Sequence, residues 1–221
     1  MKLQKLGGYA AIASVCVYLL FVAVLSLETT SFGDLSDPTK VMAGMSSAPV
    51  LPYVSDLLLL VDFILWFIVI LALNERMQAN APNLTRIAMI AAAVGTAAGI
   101  ATAIAQAQAI VAIAPTKDIS AYRAFNAMTT SLFAFSSHAY GWVCLLIGFA
   151  VLKTRAFSKA PGWLFILTGI FWVRIPIPII HGVAANAIPW LLYLAGSVWF
   201  GVALLRQKQP QPAAKEMAAA R

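Results

Sequence analysis

Charge is scarce in this chain. Asp, Glu, Lys and Arg make up 10% of its 221 residues, where soluble domains hold about 25%. With 62% hydrophobic residues and a mean hydropathy of +0.86, the chain cannot cover a water-facing surface with polar groups. The bilayer is the solvent that fits it. Cysteine is nearly absent: Cys16 and Cys144 both lie in apolar runs and form no CxxC pair. That excludes a disulfide framework and a zinc ribbon. The P-loop, GxGxxG, HExxH, GxSxG and CxxCH signatures are all missing, so no nucleotide, metalloprotease or serine-hydrolase motif can be invoked. No lysine sits inside an apolar run, which argues against a retinal protein.

What the chain does have is long apolar stretches. A spanning helix needs about 20 mostly apolar residues. Six stretches meet or approach this: Gly7–Leu27, Leu51–Leu73, Ile87–Ala114, Ser131–Leu152 (with a helical lead-in from Ala121), Pro161–Ile180 and Pro189–Leu205. The expected fold is an all-α polytopic transmembrane bundle of six helices. Residues 1–206 form its single domain, and residues 207–221 are expected to be a disordered cytoplasmic tail. Lys2 and Lys5 precede the first run as in a signal peptide. The run exceeds the usual h-region of about 7–15 residues and lacks a clear cleavage site, so a retained first span is expected.

The net charge of +7 is spread over short connections rather than gathered on one face. It points to anionic lipid headgroups, not to nucleic acid. Lys2, Lys5, Arg76, Arg86, Lys153, Arg155, Lys159, Arg206, Lys208, Lys215 and Arg221 fall on one side of a six-span layout. The positive-inside rule then sets both termini in the cytoplasm, in a bacterial inner membrane. Asn83-Leu84-Thr85 matches a glycosylation sequon but lies on the cytoplasmic side of this layout. The external loop, residues 28–50, is long for a helix connection. Within it, Asp37-Pro38 matches an N-cap followed by proline at the first helical position, so a short interfacial helix from Pro38 to Met45 is expected.

Small residues crowd the third span, with Gly95 and Gly99 in a GxxxG arrangement. Such a face lets helices approach closely, at the centre of the bundle or at a homo-oligomer seam. Gly141-Trp142 with Gly148, Gly162-Trp163 with Gly169, and Pro189-Trp190 with Gly196 repeat one spacing. Successive helices run in opposite directions, so this repeat is read as coincidence.

Polar groups inside spans cost about 2.5–3.5 kcal/mol each and face protein, a cavity or a partner. Helical rise puts Asp56 roughly 7 Å and Asp62 roughly 16 Å below the outer edge, with His138 at about 10 Å. Arg174 lies roughly 20 Å up from the inner edge, while Gln106, Gln108 and His181 are nearer the outer boundary. These residues share the outer half, and Asp62 with Arg174 is the expected ion pair. Asp56 and Asp62 are about 600° apart on one helix, so they point to different faces. Pro176 and Pro178 break the fifth helix just after Arg174. The following segment, Ile175 to Ile188, is expected to be unwound, with the last span restarting at Pro189.

Four functions fit this pattern. The first is a membrane-embedded enzyme, of isomerase, cyclase or hydrolase type, acting on a small apolar or lipidic substrate. Asp56 or Asp62, kept from water, is then the general acid, His138 or His181 the base, and Arg174 the group that holds the acid or an anion. Trp66, Gln106, Trp142, Trp172, His181 and Asn186 would line its pocket. The second is a proton-coupled small-molecule carrier using Asp62 and Arg174. The third is a redox protein with haem b between His138 and His181, although no cofactor is expected on balance. The fourth is a non-catalytic subunit of a membrane complex.

The basic turn Lys153–Lys159, the Pro161-Gly162-Trp163 that follows it, the length and the span number together resemble small bacterial six-helix integral membrane proteins without an assigned activity. The resemblance is one of layout and implies no functional residue.

Overall fold

A computed structural model describes residues 3–33, 37–154, 156–173 and 183–206, without the side chains of 183–187. The described residues are helical apart from short connections. In chain order the helices are α1 (Leu3–Phe32), α2 (Pro38–Ser47), α3 (Val50–Met77), α4 (Pro82–Ala112), α5 (Ile119–Thr154), α6 (Lys159–Trp172) and α7 (Val183–Arg206), with a 3₁₀ turn at Ala114–Thr116. α1, α3, α4, α5 and α7 are long and apolar enough to cross a membrane. α6 has 14 residues, about 21 Å of rise, and the chain beyond Val173 lies outside the described residues until Val183.

Local chemistry sets the helix ends. α1 stops at Gly33, whose φ of 78° is the left-handed conformation that glycine adopts without strain. The Asp37 side chain accepts a hydrogen bond from the Thr39 N–H at 2.9 Å, and Pro38 takes the first turn of α2. The short helix read from Asp37-Pro38 is therefore present and runs to Ser47. Asp118 starts α5 in the same way, accepting from the N–H groups of Ser120 and Ala121 at 2.9 and 3.0 Å.

Two expectations are corrected here. The last helix starts at Val183, not at Pro189, which lies inside α7. Proline is tolerated in membrane helices because neighbouring helices and side chains satisfy the freed carbonyl. The expected unwound stretch from Ile175 to Ile188 is thus helical from Val183 onward; its earlier part, with Pro176 and Pro178, falls outside the described residues.

The second correction concerns the repeated glycine spacing, which is a packing device. A Cβ at Gly148 would fall 2.7 Å from the Gly162 carbonyl oxygen, and one at Gly169 would fall 2.7 Å from the Gly141 carbonyl oxygen. Seven residues are nearly two helical turns, so each glycine pair shares one face of its helix. Two antiparallel helices with the same spacing then meet twice, Gly141 with Gly169 and Gly148 with Gly162. Backbone-to-backbone approach of this kind is how helices associate tightly in lipid.

The helices close into a ring: α1 packs on α3, α3 on α4, α4 on α5, α5 on α6, α6 on α7 and α7 back on α1. α2 lies across one end, against α1, the 3₁₀ turn and the start of α5. Gly95 and Gly99 of α4 are filled by α5 and by the Phe63 ring of α3, so these two glycines serve packing within the chain. Large apolar side chains such as Leu20, Leu57, Ile90, Phe149 and Leu191 stand exposed on the outside. That is the pattern of a surface solvated by lipid rather than water.

Candidate functional site

Asp62 lies near the middle of α3, inside the ring and 8% exposed. Its Oδ1 accepts a hydrogen bond from the Ser14 hydroxyl of α1 at 2.5 Å. Ser14 Oγ is also 3.4 Å from the Tyr193 hydroxyl of α7. A second buried pair joins Tyr140 of α5 to Thr96 of α4, hydroxyl to hydroxyl, at 2.6 Å. Ser136, one turn before Tyr140, donates to the Gly95 carbonyl at 2.7 Å and fixes α5 against α4.

Asp62 opens on a small inner chamber of about 30 Å³, room for about two water molecules. Its walls are mostly aromatic: Phe63, Trp66, Phe133, Tyr140, Trp172, Trp190 and Tyr193, with Leu59 and Ser137. The rings hold one another. Trp66 meets Tyr193 edge-on at 4.8 Å, and Trp172 meets Trp190 at 5.0 Å. The Trp66 indole N–H is buried without a hydrogen-bond partner among the described residues. Away from the α2 end, packed rings continue from Trp66 to Phe165 at 5.7 Å, Phe165 to Phe200 at 4.7 Å and Phe200 to Phe157 at 5.2 Å. The Arg76 guanidinium covers Phe157 at 5.2 Å.

Toward the α2 end lies an outer chamber of about 270 Å³. Glu28 of α1, Asp56 of α3 and Gln106 of α4 line it, together with Tyr122, Phe125, Asn126 and Thr129 of α5 and Met45 of α2. Leu59 and Phe133 line both chambers and separate them. Asp56 and Asp62 therefore serve different chambers, as their 600° separation implies.

The sequence-read site divides accordingly. Asp62, Trp66 and Trp172 line the inner chamber, and Asp56 and Gln106 the outer one. His138 and Trp142 line neither and are exposed on the outside of α5. Ser136 and Tyr140 face inward, and a residue two positions on is rotated about 200° away. Trp142 is 48% exposed as a result. Neither the base role nor the haem-ligand role therefore has His138 facing a chamber. Arg174 and His181 lie outside the described residues, as does the expected Asp62–Arg174 pair; Asn186 belongs to α7, but its side chain is not described.

Ser14, Glu28, Tyr140, Trp190 and Tyr193 are site residues that sequence reading passed over. The apolar run ends at Leu27, which points to a loop from Glu28 onward. α1 continues to Phe32 and keeps Glu28 inside. Serine and tyrosine are unremarkable in a span, so only their shared contact with Asp62 marks them.

Comparison with protein-family models, curated proteins and solved structures found no match to the chain.

Proposed function

We propose that the chain is a six-span inner-membrane protein, N-in and C-in, that works as a proton-coupled small-molecule carrier with Asp62 as its proton-exchanging group. α6 belongs to the sixth span in this reading. The observation that carries the proposal is a carboxyl group at mid-bundle on an inner chamber that adjoins a second chamber toward the α2 end, with packed rings closing the other end. Carriers hold substrate and coupling ion near the bilayer midplane and close one side at a time. Basic residues collect at the closed end, so the positive-inside rule makes that end cytoplasmic and the α2 end external.

Proton exchange needs an acid that can lose and regain its proton without a fixed counter-charge. Among the described residues, no Lys, Arg or His lines either chamber. The titratable neighbours of Asp62 are the hydroxyls of Tyr18 from α1, Tyr140 from α5 and Tyr193 from α7. An acid/base enzyme needs a complementary base; His138 does not face a chamber, and His181 lies outside the described residues. The enzyme is the second reading, supported by the Tyr193 hydroxyl that shares Ser14 with Asp62.

The two readings separate in proteoliposomes incubated with a small-molecule extract of whole cells under an imposed pH gradient. Mass spectrometry of the vesicle contents and of the medium is the readout. A carrier accumulates compounds unchanged, and Asp62→Asn vesicles do not. Compounds consumed and replaced by isomers or hydrolysis products, without accumulation, would establish the enzyme instead.

A further inference from the structure

The outer chamber contains an unmet chemical demand. Glu28 is 7% exposed and lines the chamber; its carboxyl meets the Ser55 hydroxyl, but its Oε1 has no hydrogen-bond partner among the described residues. A buried acceptor without a donor is costly, and a buried carboxylate more so. Asp56 lines the same space, and Glu28 lies within its electrostatic reach. Among the described residues, no Lys, Arg or His lines the chamber. Two acids thus face one cavity with no cation from the described chain to meet them.

We infer that the outer chamber binds the ammonium group of a small organic cation. The rest of the wall decides between an ammonium and a metal ion. Tyr122, Phe125 and Phe133 line the same chamber as the two carboxyls. Aromatic faces attract organic cations, with ammonium groups the strongest case. Calcium and magnesium are held chiefly by clustered carboxylates, and among the described residues no group of three or more His, Cys, Asp or Glu is placed to hold a metal ion. The volume of about 270 Å³ lies just below the range of about 300–1,000 Å³ for sites of drug-sized ligands. The ligand is therefore small, a headgroup with a short apolar substituent. Leu59 and Phe133, shared by both chambers, place the bound cation next to the space that Asp62 opens on. This inference names the substrate class of the proposed carrier and rests on that reading for its biological meaning, though not for the binding itself.

Binding is measured by isothermal titration on the full chain in lipid nanodiscs, without any gradient. The probes are tetramethylammonium, choline, benzyltrimethylammonium and 3,3-dimethyl-1-butanol, the neutral isostere of choline. Calcium chloride is titrated separately. The expected result is that at least one ammonium binds, and that choline binds at least ten-fold tighter than its neutral isostere. Glu28→Gln removes that preference and leaves the isostere unaffected; Asp56→Asn acts in the same direction and replaces Glu28→Gln if that variant does not fold. Equal binding of choline and its isostere, or no binding of any ammonium, overturns the inference. Calcium binding that Glu28→Gln abolishes assigns the chamber to a metal ion and overturns it as well. Because accumulation under a gradient is a separate readout, a carrier that transports neutral compounds would sink this inference alone. An ammonium binder that transports nothing would sink the carrier alone.

Discussion

Asp62 and Ser14 are the pair on which the account rests most closely. Interhelical hydrogen bonds in membrane proteins contribute about 0.6 kcal/mol on average and up to about 1.7. Ser14→Ala removes the 2.5 Å bond to Asp62; thermal unfolding in detergent should show a loss toward the upper end of that range. His138 is exposed, and substitutions at such places usually stay within about 0.5 kcal/mol. His138→Gln should therefore leave both stability and accumulation near wild type. Asp62→Asn combined with Arg174→Gln separates a structural ion pair from a functional acid. If the pair is structural, the double variant regains full activity; this account expects it to stay inactive. Asp62 was legible in the sequence because an acid in a span is expensive and must face protein. Ser14 was not, since a serine there costs little and gives no sign of its partner. His138 shows the converse: rise along a helix gives depth, but the side of the helix depends on which neighbours pack against it.

At the scale of elements, α5 and α6 are joined by glycine on glycine. Replacing Gly148 or Gly169 with alanine puts a methyl group against the carbonyl oxygen of the opposing helix. Overpacking of this kind costs about 1–3 kcal/mol. Thermal unfolding should drop accordingly for Gly148→Ala, while Phe149→Ala, on the exposed face next to it, should change little. The seven-residue spacing was visible in the sequence, but its meaning depends on two helices lying antiparallel and face to face. α2 was legible down to its first residue because a cap is a local event, decided by Asp37 and Pro38 alone. The start of α7 was misread for the opposite reason. Proline marks a helix start in water more reliably than in a bundle, where neighbouring helices satisfy what it leaves open.

Across the whole molecule, the ring of helices holds the outer chamber toward α2 and packed rings toward Arg76 and Phe157. Hydropathy alone revealed the membrane character, as five long apolar helices in the described chain bear out. The chambers were not legible, because each is lined by side chains from several helices, and no single helix carries that information. Orientation can be tested with single cysteines in a background lacking Cys16 and Cys144. Thr39 and Gln78 are both exposed, one in α2 and one just after α3. An impermeant maleimide should label Thr39→Cys in intact cells and Gln78→Cys after lysis alone. The most direct test of the central claim compares wild-type and Asp62→Asn proteoliposomes under a proton gradient, with and without a protonophore. Accumulation that requires both the gradient and Asp62 is the predicted result; equal accumulation by wild type and Asp62→Asn, with the gradient intact, would contradict it.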